Sequence, residues 1–200
     1  MTTYDGTGVD TGYTLVLSGS NRVASHSRAL GDHVARQLEQ AGERAVLVDL
    51  AEQRLPFHDP ADHHALEQSP DARVRAFTRL AADAHALVWV TPIYHGTLSG
   101  VLKNALDNLS IKQLAGKPVL LMANGGGRFG GAVFDHMRTM AVNLHAVAVT
   151  CQVLALGEDF APIPDGGYQP VDAQLLSRIE RGTGELLSLT GALVRERVRV

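Results

Sequence analysis

Short runs of aliphatic and β-branched residues alternate along the chain with longer stretches in which apolar positions recur every three or four residues. Tyr13 to Leu17, Ala45 to Val48, Ala86 to Val90, Pro118 to Met122 and Val147 to Leu154 are nearly continuous in valine, leucine and isoleucine, which predicts five strands buried on both faces. Between them, Ser27 to Ala41, Asp71 to Ala84, Gly100 to Leu109 and Gly130 to Leu144 carry the period of amphipathic helices. A last amphipathic segment, Asp172 to Val198, contains Gly182 and Gly184, where a weak point or a break in the helix is expected. Two stretches rich in proline, aspartate and glycine, Ala51 to Pro70 and Gly157 to Val171, read as surface loops.

Strict alternation of strand and helix, with strands apolar on both sides, implies a parallel sheet with right-handed crossovers and helices on both faces. The fold class is therefore α/β with three layers, and five strands suit the flavodoxin-like order 2-1-3-4-5. In that order a ligand site lies at the carboxyl ends of the strands, beside the switch point between strands one and three. With no internal repeat or linker, residues 1–200 read as one domain, with 1–12 as a flexible N-terminal tail.

Composition narrows the function classes. A chain of 200 residues that is 45% hydrophobic and 20% charged, with a mean hydropathy of 0.00, has the balance of a folded protein with a sizeable core. Net charge is −3, so there is no basic field to hold a nucleic acid or an anionic membrane, and neither is expected as a partner. Cys151 is the only cysteine, which excludes a disulfide framework within the chain. No apolar run approaches the ~18–20 residues of a membrane helix, and the N-terminus has no signal-peptide pattern. A cytoplasmic protein is expected.

The chemistry is concentrated at three predicted strand ends. After the first strand the chain reads Ser18-Gly19-Ser20-Asn21-Arg22-Val23-Ala24-Ser25-His26-Ser27 and enters a helix. A helix N-terminus supplies free N–H groups and a positive dipole end, hydroxyls add donors, and Arg22 adds a fixed cation, a set that suits a phosphate dianion. The plainer alternative is that Ser25 or Ser27 is an N-cap and Arg22 a solvated side chain. The stretch is neither a G-x-G-x-x-G turn nor a nucleotide-hydrolysing P-loop, so a phosphate monoester fits better than a pyrophosphate. After the third strand, Thr91 to Gly100 holds a proline, an aromatic and two glycines; it reads either as a plain turn with Tyr94 at its rim or, being at the predicted switch point opposite the phosphate loop, as a lining for a planar ring. After the fourth, Asn124-Gly125-Gly126-Gly127-Arg128-Phe129-Gly130-Gly131 holds five glycines in eight residues, able to form an anion-binding nest or simply a tight turn.

Two motifs carry a resemblance: G-S-x-R-x-x-S over Gly19 to Ser25, and T-P-x-Y-x-G-x-x-x-G-x-L-K-N-x-L-D over Thr91 to Asp107. From about Thr14 to Leu154 the chain resembles the NAD(P)H-dependent FMN reductase family, which implies a flavodoxin-like fold, FMN as cofactor and NADPH or NADH as co-substrate. By position, Ser20, Arg22, Ser25 and Ser27 would hold the FMN phosphate. Pro92, Ile93, Tyr94, His95, Gly96 and Thr97 would contact the ribityl chain and ring, and Asn124, Gly125, Gly126, Gly127 and Arg128 would sit near the pyrimidine edge. Ser27 stands where many relatives have Asn, and Thr97 where many have Ser; both changes keep hydrogen-bonding capacity. The resemblance also implies a homodimer or homotetramer.

The flavin carries the chemistry, so no catalytic side chain of the protein's own is expected. The expected activity is hydride transfer from NAD(P)H to flavin, with a flavin reductase that supplies a monooxygenase as the favoured role. Free flavin, quinones, azo dyes or a metal oxyanion are the candidate acceptors. The alternatives are a flavodoxin-type electron carrier and a flavin-free binding protein. His58, Asp59, Asp62, His63 and His64 form the only metal-like cluster, in a loop that looks exposed, and no metal is expected. Trp89 and Cys151 read as core, and Lys103 with Asp107 as a solvated pair or, through the resemblance, part of a dimer contact.

Overall fold

The computed structural model describes residues 12–125, 127, 130–164 and 166–197, so the expected N-terminal tail lies outside it apart from Gly12. Five parallel strands, β1 (Thr14–Ser18), β2 (Ala45–Asp49), β3 (Ala86–Pro92), β4 (Pro118–Asn124) and β5 (Val147–Ala155), lie in the order β2-β1-β3-β4-β5. The helices are α1 (His26–Gln40), α2 (Ala72–Asp83), α3 (Gly100–Asp107), the single turn α4 (Ile111–Leu114), α5 (Ala132–Asn143) and α6 (Ala173–Arg197). The architecture is the flavodoxin-like one read from the alternation.

Side chains of one strand point alternately to the two faces, and the core divides accordingly. Leu15, Leu17, Leu87, Trp89 and Leu121 pack under α2, α3 and α5, whereas Val16, Val88, Val90, Leu120 and Met122 pack under α1 and α6. The three central strands are buried along their whole length. The outer strands depart from the expected burial: β5 alternates between buried positions on the α6 face and half-buried or exposed ones on the other, because that second face is less fully covered at the sheet edge, and β2 is half-buried at its start. Cys151 and Trp89 are buried, as core residues.

Two further departures come from tertiary contacts. The loop after β5 contains a small antiparallel hairpin, β6 (Phe160–Pro162) and β7 (Tyr168–Pro170). And α6 runs unbroken through Gly182 and Gly184. At Gly182 a Cβ would sit 2.9 Å from Leu120 Cδ1 and 3.4 Å from the Cys151 sulfur, so the missing side chain is what lets α6 lie close on the sheet. Gly184 is exposed, with nothing within 4 Å of a built Cβ. Gly184→Ala is therefore expected to raise the free energy of unfolding by about 0.5–1 kcal/mol, read as a higher urea midpoint, while Gly182→Leu lowers it. No helix among the described residues is long and apolar enough to cross a membrane.

Candidate active site at the strand ends

The carboxyl ends of β1, β3 and β4 are tied to one another before any ligand is considered. Gly19 N–H donates to the Val90 carbonyl at 2.7 Å. The Gly19 carbonyl accepts from the hydroxyl of Ser99, which also caps α3 by accepting from Leu102 N–H at 3.2 Å. Ser99 N–H in turn donates to Thr91 Oγ1 at 2.9 Å, and both residues are buried. Ile93 N–H donates to the Asn124 carbonyl, and Gly125 N–H to that of Ala155, each at 2.9 Å. Such cross-links fix the loops on rigid strands, the condition for holding a ligand in one geometry.

In the loop after β1, Ser25 is the N-cap of α1, its hydroxyl accepting from Arg28 N–H at 3.1 Å. Ser20 is buried and its hydroxyl accepts from Arg22 N–H at 3.1 Å, folding the loop back on itself. Arg22 is exposed and bonds through Nε to the Ala24 carbonyl at 3.0 Å, which leaves the outer guanidinium nitrogens without a partner among the described residues. Ser27 is fully buried and donates to Asn124 Oδ1 at 2.5 Å, joining the start of α1 to the end of β4. The plainer reading thus holds for Ser25 as a cap, while Arg22 remains a free cation at the mouth of the helix.

After β3, Tyr94 and Thr97 exchange both backbone hydrogen bonds, at 2.9 and 3.1 Å, around His95 and Gly96, whose φ values are 51° and 78°. Positive φ at both central residues is the hairpin turn whose twist matches its flanking strands, and histidine tolerates it better than most residues. The turn carries Tyr94 outward, 46% exposed, and anchors Thr97 Oγ1 to His136 Nδ1 of α5 at 2.8 Å. After β4, Gly125 and Gly127 have φ of 92° and 50°, with open space where a Cβ would be. Glycine adopts this backbone at less cost than other residues, and at Gly125 it leaves the chain bare toward the cavity that this residue lines. Gly126 and Arg128 lie outside the described residues.

The three loops enclose a cavity of about 260 Å³ lined by Ser20, Arg22, Ser25, His26, Ser27, Pro92, Ile93, Tyr94, Asn124 and Gly125. A second cavity, of about 440 Å³, is also lined by Tyr94, with Leu50, Leu55, Phe57 and Val101 as apolar walls and Arg54 and Asn104 as polar groups. Phe57 is 91% exposed there.

A family model described as NADPH-dependent FMN reductase matches residues 13–161. This chain belongs to the NADPH-dependent FMN reductase family. It is 30% identical over 174 residues to the FMN-dependent NADPH-azoreductase of Staphylococcus saprophyticus, a match spanning 87% of this chain and 93% of that one. To the protein of the same description from Staphylococcus aureus it is 32% identical over 179 residues, with the same coverage. The flavoenzyme NAD(P)H:(acceptor) oxidoreductase of Paracoccus denitrificans shares the fold at a TM-score of 0.71 and 16% identity, over 90% of this chain and 98% of its own. An NADH:FMN oxidoreductase in its apo form does so at 0.68 and 22%, over 88% and 89%.

Membership makes the protein an oxidoreductase with FMN as cofactor and NAD(P)H as co-substrate. The residues present fit an FMN reductase: a cation and hydroxyls meet at a helix N-terminus on one side of the cavity, and bare glycine backbone and an outward tyrosine lie on the other. Sequence reasoning passed over His26, Ser99 and His136. The serine cap before α3 was readable as Ser-Gly ahead of an apolar run. His26 and His136 had no local signal, since their partners are distant in sequence. His26 stacks on Phe160, with ring centroids 4.2 Å apart and planes 1° apart, and meets Tyr168 edge-on at 4.3 Å. Burial, and then the charge of Arg22, push its imidazole below the usual histidine pKa. The His58–His63–His64 rings do touch, at 5.6 and 5.2 Å between centroids, but no group of three or more metal-ligating side chains is arranged to hold an ion among the described residues.

Proposed function

We propose that the protein holds FMN across the ends of β1, β3 and β4 and passes electrons from NAD(P)H to a small aromatic acceptor of the azo or quinone class. The observation that carries this reading is the polarity of the cavity, with Arg22 and the α1 N-terminus at one end and Tyr94 and the glycine backbone at the other. In this reading Arg22, Ser20 and the first N–H groups of α1 neutralise the phosphate, and Ser25 and Ser27 act by fixing the backbone that presents those groups. Pro92 to Thr97 set the position of the ring, with the Thr97–His136 hydrogen bond holding the turn in place. The Gly125 N–H is bonded to the Ala155 carbonyl, so in this reading it is the N–H groups after it in the glycine loop that steady negative charge at the pyrimidine edge. When bound, FMN would supply the redox chemistry, taking a hydride from NAD(P)H, released as NAD(P)⁺, and passing the two electrons to the acceptor, whose remaining proton comes from solvent.

The apolar cavity beyond Tyr94 supports an acceptor that enters the protein directly, as does the azoreductase description of the relatives. The competing role is the supply of reduced FMN to a monooxygenase. Anaerobic turnover of NADPH by protein loaded with one equivalent of FMN separates them. Rapid consumption of an azo dye or a quinone without added flavin is the expected result. Turnover that begins only when excess free FMN is present would favour the supplier role and remove the direct acceptor.

A further inference from the structure

His26 is the one residue lining the cavity whose chemistry the account so far leaves unused. It stands at the first helical position of α1, directly after the Ser25 cap, beside Arg22 and among the residues that enclose the phosphate end. Its ring is held in one orientation by hydrophobic neighbours, stacked flat on Phe160 of β6 and met edge-on by Tyr168 of β7. Neither ring nitrogen has a hydrogen-bond partner among the described residues, so the hairpin fixes the imidazole without using its donors. The hairpin that sequence reading took for a plain loop thus presents a histidine to an anion site.

From this placement, and resting on the assignment of the phosphate to the β1–α1 loop, we infer that His26 is a proton-coupled ligand of the FMN phosphate. In the free protein burial and the charge of Arg22 favour the neutral imidazole. Arrival of the dianion offsets the charge of Arg22 and places two negative charges beside the ring, and His26 takes one proton from solvent. The imidazolium then donates an N–H to a phosphate oxygen, and no covalent bond is made or broken. Among the described residues the charged group that acts on the ring is Arg22 on the preceding loop, and the titratable group in contact with it is Tyr168 on β7; on the far side lies Gly157, whose built Cβ is 4.0 Å from His26 Cε1 and which Glu158 and Asp159 follow in the chain. Asp159 is already engaged, accepting from Leu156 N–H at 2.6 Å, and Arg28, two positions on in the same turn, is held by Asp32 and Asp49.

The direction follows by linkage. In the free protein burial and Arg22 hold the imidazole below its ordinary pKa, and bound phosphate raises it. The added affinity is therefore full below the free-state value and is lost as pH rises through the bound-state value. The second ionisation of the phosphate itself, near pH ~6, is common to wild type and variants and cancels in their ratio.

The test is titration of the full-length apoprotein with FMN and with riboflavin, followed by flavin fluorescence between pH 5.5 and 8.5, for wild type, His26→Phe and His26→Gln. Phenylalanine keeps the stack on Phe160, so an unchanged melting temperature shows the fold intact; glutamine can donate a hydrogen bond but does not titrate. The expected result is an FMN dissociation constant about tenfold higher for His26→Phe at pH 5.5–6, converging on wild type by pH 8.5, with a pH-independent ratio for His26→Gln against His26→Phe. Riboflavin affinity stays equal in all three. Variant-to-wild-type ratios that are flat in pH, or equal for FMN and riboflavin, would overturn the inference while leaving the flavin site standing. Failure of the wild type to bind FMN at all would overturn both.

Discussion

Gly19→Ala is expected to destabilise the protein by about 1–3 kcal/mol and to weaken FMN binding at least tenfold, although the substitution adds one methyl group. A Cβ at Gly19 would lie 2.7 Å from the Val90 carbonyl and 2.8 Å from Leu102 Cβ, the first a backbone atom of β3 and the second a fixed atom of α3. Neither can rotate away. Relief requires β1 and α3 to separate, which stretches the 2.7 Å bond from Gly19 N–H to Val90 and the Ser99 bond to the Gly19 carbonyl. Those bonds set the height of the phosphate loop against the Tyr94 turn, so loss of stability and loss of affinity arise from one displacement. Urea unfolding and flavin titration of the same preparation measure the two together. A variant that unfolds like wild type and binds FMN normally would show that the loop is not held from Gly19.

Arg22→Ala carries the second large effect, and here affinity and stability separate. The Arg22 side chain is exposed and makes one described hydrogen bond, to the Ala24 carbonyl, and the backbone bond to Ser20 survives the substitution, so the melting temperature of the apoprotein is expected to change little. Hydrogen bonds to charged groups contribute about 1.5–3 kcal/mol each, which predicts FMN binding weakened roughly ten- to a hundredfold. Riboflavin, which lacks the phosphate, serves as the internal control and should bind both proteins alike. Arg22→Lys should recover part of the loss, because an ammonium restores the charge but not the planar fork. Equal loss for FMN and riboflavin would place the guanidinium elsewhere than at the phosphate.

Much of this was legible in the chain because the strands are local. Runs such as Ala86 to Val90 are apolar on both faces only where helices cover both, and that fixed the sheet as parallel and the site at its carboxyl edge. The spacing of Tyr94, Gly96 and Gly100 belonged to the same local information. What stayed hidden depended on contacts across the fold. The bond between Ser27 and Asn124 joins residues far apart in the chain, so Ser27 read as a direct ligand although its hydroxyl is spent inside the protein. Gly182 looked like a helix breaker because propensity counts the glycine's cost and not the close approach to Leu120 that it permits. The hairpin at Phe160 and Tyr168 was masked by its prolines, although Asp-Gly-Gly between two aromatics is a turn signal.

A crystal structure of the protein grown with FMN tests the central claim most directly, because it reads both ends of the cofactor at once. The phosphate is expected within hydrogen-bond reach of Arg22 and the first N–H groups of α1, with the ring lying against the Tyr94–Thr97 turn and its pyrimidine edge toward Gly125. FMN found with its phosphate away from the β1–α1 loop, or with its ring away from the ends of β3 and β4, would contradict the account.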